Sequence, residues 1–395
     1  MIPRRVVPGL AAMVALVLHL LPRGAEFGRS RDVPPVAWSV PAARSNSPSV
    51  PLFREEFLGP GDGVASVHVA SLAEVAPGRL AAAWYGGSRE GARDVAIYLS
   101  MRAQDGAGSG ADTGIWSTPV PLVTADSAQR ELNRFVKKVG NPLLVSDRRG
   151  HLQLLFVSIA VGGWSGSSLN LKESTDGGLR WTPARRLVLS PFFNVSELVK
   201  NPPAPVNGGG WTVPIYHELF GKFPELLWLD IPGAVAAATR SRPFGGRTAF
   251  QPAIVTFDAT RALLLCRTAG ARSELFGSRT EDGGRHWSAP MPVGLPNSGS
   301  GIAALRLAQG RLLLAFNDTT TGRDNLRLAV SDDEGRTWRR GPTVVREADA
   351  EFSYPFLLQT DDDRIHLAFT WKREAIRHVE FSPSWLEASL TGGAP

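Results

Sequence analysis

Ser331-Asp332-Asp333-Glu334-Gly335-Arg336-Thr337-Trp338 reads as S-x-D-x-G-x-T-W, and the chain carries this pattern three times. Ser174-Thr175-Asp176-Gly177-Gly178-Leu179-Arg180-Trp181 keeps every position but the Thr, and Thr280-Glu281-Asp282-Gly283-Gly284-Arg285-His286-Trp287 exchanges Ser for Thr and Thr for His. The pattern is that of a stapled hairpin turn. The Asp carboxylate can bond nearby backbone N–H groups, the Gly can adopt positive φ, and the Trp packs back under the turn. Trp287 and Trp338 stand 51 residues apart and Trp181 and Trp287 stand 106 apart, about two further steps of the same length. A repeat near fifty residues suits the four-stranded blade of a β-propeller.

A second repeat counts the blades. A turn followed by an apolar run occurs at 78–84, 150–156, 210–216, 261–266, 310–316 and 363–369, with steps of 72, 60, 51, 49 and 53 residues. Runs of this kind, buried on both faces, are expected of inner propeller strands. Each follows another strand that begins with polar residues, several before proline: His68, Asn141-Pro142, Asn201-Pro202, Gln251-Pro252, the Asn297–Ser300 turn and Tyr354-Pro355. Proline fits the first residues of a strand, where no ladder bond is lost. Side chains that differ from blade to blade in size and chemistry suit a pocket better than a generic turn. The fold class expected is therefore all-β, a six-bladed β-propeller over residues 51–386. Its last blade lacks an outer strand after Ile376–Phe381, and Leu52–Phe57 is expected to supply it and close the ring.

Composition agrees with a globular chain: 43% of the residues are hydrophobic and 20% charged, with 41 Gly and 30 Pro for many turns. The net charge of +6 is carried mostly by arginine, since there are only six lysines. Arginine favours bidentate capture of carboxylate or phosphate. The basic residues are scattered, without a run or an aromatic-interleaved patch, which argues against nucleic acid as a partner. One cysteine, Cys266, excludes an intramolecular disulfide and sits within an apolar run, as a small buried hydrophobe would. The histidines have no ligand-like spacing, and neither a metal nor another cofactor is expected.

Arg4 and Arg5 precede a mostly apolar run from Val6 to Leu21. Residues 1–24 read as a signal peptide or an N-terminal anchor. The protein is thus expected to be exported: periplasmic, secreted or membrane-anchored, touching a membrane only through that segment. Residues 25–50, rich in Pro, Ser and Arg, read as a linker, so that loss of residues 1–45 is expected to leave the ring intact.

Blade topology then sorts the polar residues. Turns joining strands one to two and three to four lie on one face of a propeller, and the repeated motif is a three-to-four turn. The opposite face collects His68, Asn141, Asn201, Gln251, Ser298 and Tyr354 with the two-to-three loops. Those loops bring Arg89, Glu90, Arg93, Asp94, His217, Glu218, Arg267, Asp318, Arg323, Lys372 and Arg373. A funnel with several arginines, a few carboxylates and one tyrosine suits an anionic substrate.

The eight-residue motif is the Asp-box, and over about residues 62–385 the chain resembles the sialidase (neuraminidase) superfamily with Asp-box/BNR repeats, especially its bacterial predicted neuraminidases. The resemblance implies three arginines that clamp a substrate carboxylate, a tyrosine nucleophile activated by a glutamate, and an aspartate that protonates. Arg267, ending Leu263-Leu264-Leu265-Cys266, matches the second arginine. Arg323 matches the third, and Tyr354 in Tyr354-Pro355-Phe356-Leu357 matches the nucleophile. A phenol suits a substrate whose own carboxylate would repel a carboxylate nucleophile.

Three departures accompany these matches. His68, in Val67-His68-Val69-Ala70, stands where the F-R-I-P arginine belongs. Glu90 and Asp94, with Arg89 beside them, occupy the acid region without a clean match. No carboxylate lies near Ala249-Phe250-Gln251, where the glutamate should be, and Glu218 is the nearest substitute in the chain order of blades. The function implied is an exo-glycosidase hydrolysing a terminal acidic sugar from glycoconjugates. Its catalytic candidates are Tyr354, Glu90, Asp94, Glu218 and His68, and its substrate-binding candidates are Arg267, Arg323, Asn141, Asn201, Gln251 and Arg89. Two alternatives share the pocket. A polysaccharide lyase would eliminate across a uronate, His68 or Tyr354 taking the C5 proton while Arg267 and Asn141 or Gln251 offset the enolate charge. A non-catalytic glycan-binding propeller needs no nucleophile at all.

Overall fold

The computed structural model describes residues 33–34, 37–40, 50–59, 61, 63–103, 114–189, 194–231, 238–247, 249–270 and 272–392. The segment 1–24, read as a signal or anchor, lies outside them, as does most of the linker. Among the described residues no helix is long and apolar enough to cross a membrane.

Each apolar run is the second strand of a blade: Arg79–Gly87, Leu152–Ile159, Trp211–His217, Ala262–Thr268, Leu312–Phe316 and Ile365–Trp371. Their side chains are buried on both faces because each blade is sandwiched between its neighbours, and Trp84, Phe156, Phe316 and Phe369 are wholly inaccessible. Six antiparallel sheets result, five of four strands and one of five, so the propeller has six blades. Ring closure follows the expected scheme, shifted by one residue. Strand Phe53–Leu58 pairs with Ala375–Phe381 from Phe53 opposite Phe381 to Leu58 opposite Ile376, so the last blade has no bare edge. A short helix, Pro383–Leu390, continues from there and lays Trp385 on Phe53 at 4.5 Å between ring centroids.

The three repeated motifs form three-to-four turns in blades two, four and five. Asp176 Oδ1 accepts from the backbone N–H groups of Leu179 and Arg180 at 3.1 and 2.9 Å, and Trp181 Nε1 donates to Gly178 O at 3.0 Å. Asp333 Oδ1 likewise accepts from Arg336 and Thr337 N–H at 3.0 and 2.9 Å. The motif glycine also serves the neighbouring blade. At Gly335 (φ +80°) an added Cβ would lie 2.6 Å from Leu263 Cδ2 of blade four. The turn is thus a wedge pressed against the blade before it, and any side chain there would force the two apart.

The other face is shaped by a different device. In blades one, two, four and six the innermost strand breaks its register, between His68 and Ser71, Gly140 and Leu143, Phe250 and Ala253, and Ser353 and Phe356. At each break one residue is left-handed: Val69 (φ 51°), Asn141 (45°), Gln251 (52°) and Tyr354 (53°). These are β-bulges, which leave a residue unpaired and re-aim its side chain. Pro142, Pro252 and Pro355 follow directly, where the missing N–H costs no ladder bond.

The linker contributes to the fold. Trp38 is 2% exposed, stacks on Trp228 at 6.3 Å and donates its indole N–H to Thr212 Oγ1 at 3.0 Å. Backbone bonds tie Trp38 N to Ala259 O at 3.0 Å and Ser39 N to Pro205 O at 2.9 Å. Residues 37–40 therefore dock across blades three and four, contrary to the expectation that everything before residue 45 is dispensable.

Candidate functional site

The bulged ends of the inner strands and the two-to-three loops meet at one end of the ring. At its centre lies a chain of neutral polar groups. Tyr216 OH accepts from Gln251 Nε2 and Asn141 Nδ2, each at 3.2 Å, and Gln251 Oε1 accepts from Arg267 NH1 at 3.0 Å. Arg267 is 8% exposed and sits over Phe250, its guanidinium carbon 4.3 Å from the ring centroid. Beside this chain stands Tyr354. Gly301 lets it approach Gln251, since a Cβ on Gly301 would sit 3.0 Å from Gln251 Oε1 and 3.2 Å from Tyr354 Cδ1.

On the far side of Tyr354 is a charged cluster. Glu351 accepts from Arg323 NH1 at 3.1 Å, from Arg373 Nε at 2.7 Å and from Ser353 Oγ at 2.9 Å. Arg373 also pairs with Glu90, which accepts in addition from Trp164 Nε1 at 3.3 Å and Tyr85 OH at 3.4 Å. The Arg323 guanidinium lies over the Tyr354 ring at 5.6 Å. Burial would raise the Glu351 carboxyl, but the hydrogen bonds from Arg373 and Ser353 and the arginine charges outweigh it and bring it to about 2. Burial likewise works against Arg373 and Glu90, yet the bonds to Glu351 and then Glu90 raise the arginine, and His68 and the bonded Arg373 lower Glu90. Both carboxylates are ionised at neutral pH. Tyr85, buried and next to Glu90, is pushed well above the usual phenol value and stays protonated.

His68 fills the corner between these groups. Its ring meets Tyr354 edge-on at 4.7 Å and Tyr85 at 5.8 Å, and Nδ1 is 3.1 Å from Thr370 Oγ1. Burial, aided by the Arg373 charge, lowers its pKa to about 4, so the imidazole is neutral. The sign of the resulting pH effect is fixed. An unfolded chain takes up a proton at His68 near 6.5 while the native one does not until about 4, so stability is lost as the pH falls through that window. We expect His68→Gln to reduce the loss of unfolding free energy between pH 7 and 4.5 by up to about 3 kcal/mol, from about 1.36 kcal/mol per pKa unit. Urea titrations at both pH values measure it, and identical losses in variant and parent would remove His68 from the explanation.

The structure gathers His68, Glu90, Asn141, Gln251, Arg267, Arg323 and Tyr354 and leaves other candidates aside. Asp94 is exposed and accepts from Ser88 N and Oγ at 2.9 and 3.0 Å, bracing its own loop. Arg89 is exposed at the same loop, where its carbonyl closes a turn with Ala92 N at 3.1 Å. Glu218 is half-buried near Tyr216, its N–H held by Ser196 Oγ at 2.7 Å. Asn201, 1% exposed, spends its amide on Pro252 O at 2.8 Å and lies beneath the site instead of lining it.

Glu351, Tyr85, Tyr216 and Trp164 belong to the site and were missed from sequence. Glu351 stands three residues before Tyr354, and Arg373 occupies the two-to-three loop next to the missing F-R-I-P position. Val67 N donates to Arg373 O at 2.8 Å, which sets that loop beside His68. Pairing between a substituted position in the first blade and a loop of the last, at the other end of the sequence, has no linear signature.

Among the described residues no group of histidines, cysteines and carboxylates could hold a metal ion. The BNR repeat-like domain family matches residues 78–367. No curated protein matches the sequence. Among solved structures, a protein of unknown function from Dyadobacter fermentans is 14% identical, with 84% of this chain and 99% of that one covered and a TM-score of 0.63. The Hadza microbial sialidase Hz136 is 15% identical, with 82% and 67% covered and a TM-score of 0.66. A leech intramolecular trans-sialidase is 14% identical, with 86% and 71% covered and a TM-score of 0.65. At such identities the likeness shows a shared sialidase-type propeller.

Proposed function

As a chain that belongs to the BNR repeat-like domain family and folds as a sialidase-type propeller, we propose, this protein hydrolyses a terminal acidic sugar from an anionic glycan or glycoconjugate outside the cytoplasmic membrane. The observation that carries this reading is the grouping of Arg267, Arg323 and Arg373 around Tyr354 at one end of the ring. With Lys138 nearby, cations outnumber the carboxylates Glu90 and Glu351, which leaves charge for a substrate carboxylate. Arg373 takes up the neighbourhood of the arginine that His68 displaces.

In this reading the Tyr354 oxygen attacks the anomeric carbon and the sugar–oxygen bond to the leaving group breaks. His68, neutral and packed on the Tyr354 ring, takes the phenolic proton in this reading, and that proton passes, directly or through solvent, to the departing oxygen. Water then cleaves the tyrosyl–sugar bond and restores the phenol. Glu90, held ionised by Arg373, supports the developing positive charge at the sugar and is a poor proton donor. The roles of Asp94 and Glu218 as acid and base find no support in their contacts.

Fluorogenic aryl glycosides of acidic sugars test the reading, because a good leaving group needs little protonation. Release of the fluorophore is expected, and Arg267→Lys should weaken the apparent affinity roughly ten- to a hundredfold, since a point charge cannot replace a bidentate fork. A second reading has its own observation: His68 beside Tyr354, with Arg267, Gln251 and Asn141 in line, also suits elimination across a uronate. There His68 removes the C5 proton, a C4–C5 double bond forms and the C4 oxygen leaves with a proton from Tyr354. An unsaturated product absorbing in the near ultraviolet, without incorporation of water oxygen, decides for it. Retained glycan with no product of either kind decides for a binding module.

A further inference from the structure

Lys200 is 1% exposed, on the axis of the ring behind the site. Its Nζ donates to Asn201 Oδ1 at 2.8 Å in its own blade and to Ile302 O at 2.5 Å in blade five, and it also donates to Pro355 O in blade six. Asn201 Nδ2 in turn donates to Pro252 O of blade four at 2.8 Å. Pro355 and Pro252 are the residues that follow Tyr354 and Gln251 in their bulges.

Burial pulls the pKa of this lysine down, and so does the charge of Arg267. The contacts pull the other way. Three oxygens surround the nitrogen, and only an ammonium has three N–H donors to match them, whereas a neutral amine has two. Tyr354 and Gln251 both adopt a left-handed backbone that costs each of them conformational energy and persists only where the surroundings over-determine it. The carbonyl that follows each of them is the atom this dipeptide holds.

We propose that Lys200, with Asn201, is the positioning residue of the site: it locks the bulges of blades four and six so that Tyr354 and Gln251 face the same substrate. The kinetic part of this proposal rests on the reading that Tyr354 does chemistry; the structural part does not. Lys200 touches no substrate and is not itself catalytic. Loss of its third donor frees Pro355 O, and the Tyr354 ring shifts relative to His68 and Arg323. A displacement of about 1 Å in a reacting group is enough to cost on the order of a hundredfold in rate.

The test uses the whole chain labelled with 3-fluorotyrosine. It has four tyrosines, Tyr85, Tyr98, Tyr216 and Tyr354, so the fluorine spectrum can be assigned by single Tyr→Phe changes. Lys200→Met is expected to move or broaden the Tyr354 resonance and to leave that of Tyr98, stacked on Trp84 in blade one, unchanged. On a turned-over substrate kcat should fall about a hundredfold with KM within about threefold. In Lys200→Ala, ammonium chloride is expected to restore the Tyr354 resonance, which sodium chloride does not. Should Lys200→Met not fold, Lys200→Gln is read in the same way. Unchanged Tyr354 signals in a folded variant overturn the proposal, and so does failure of both variants to fold, which would make Lys200 a general stabiliser. A protein without turnover but with the expected fluorine shifts refutes the hydrolase reading and leaves the positioning role standing.

Discussion

Tyr354→Phe is expected to reduce turnover of an aryl glycoside of an acidic sugar at least about a thousandfold, because the variant has no oxygen with which to form the glycosyl–enzyme bond. Binding should hardly change. The ring that packs on His68 at 4.7 Å and lies under Arg323 at 5.6 Å is kept, and Arg267 is untouched. The Kd for a non-hydrolysable acidic sugar, measured by calorimetry, is therefore expected within about threefold of the parent value. The pairing of the two results is the discriminating feature. Loss of turnover with intact binding supports the nucleophile, and equal turnover in parent and variant removes Tyr354 from the mechanism. An eliminating enzyme would lose activity as well, so the product formed by the parent has to be identified by mass in the same experiment.

Truncation from the N-terminus is expected to act in two steps. A chain starting at residue 33 should unfold at the parent's urea midpoint. Starting at residue 46 removes Trp38, a fully buried indole with a hydrogen bond to Thr212 and a stack on Trp228, at a cost of about 3–5 kcal/mol. Starting at residue 60 removes the strand Phe53–Leu58 as well and bares Ala375–Phe381 along its whole length. It also strips Glu56 from His378, whose Nδ1 lies 2.9 Å away, and from the Trp116 indole at 3.0 Å. That species is expected to associate through the exposed edge and to elute ahead of the monomer in size-exclusion chromatography. A chain from residue 46 with an unchanged midpoint would show that Trp38 is ornamental.

The fold was legible because its signals are local and repeated. A turn that needs Asp, Gly and Trp within eight residues can be read wherever it occurs, and apolar runs that recur every 49 to 72 residues count the blades directly. The site was legible only where a single residue announces itself. Tyr354, Arg267 and Arg323 sit beside blade landmarks, where the resemblance to the family pattern singles them out. Glu351 and Arg373 matter through each other, and their bond joins the start of one strand to the hairpin after the next, a relation that exists only once blade six is folded. Asp94 shows the converse: a carboxylate in the expected region whose two oxygens are consumed by Ser88. Trp38 escaped notice because its setting, rich in proline and serine, carries no periodicity, and one buried aromatic ring is enough to dock a segment that composition describes as a linker.

The left-handed bulge recurs in four blades with a different residue each time, Val69, Asn141, Gln251 and Tyr354. Its backbone is supported from behind, by inner-strand pairing that resumes two residues later and by the prolines that follow three of the four. At Asn141, Gln251 and Tyr354 the side chain belongs to the polar site, whereas in blade one Val69 packs into the core and its neighbour His68 enters the site. Such a ring behaves like a lock with interchangeable pins: a mutation at one pin alters the key that fits while the barrel stays assembled. On the reading proposed above, a single substitution at such a position would alter which ligand fits while the blades stay paired. Change at these positions is bounded by the backbone as well as by the ligand, since every replacement has to tolerate the left-handed turn.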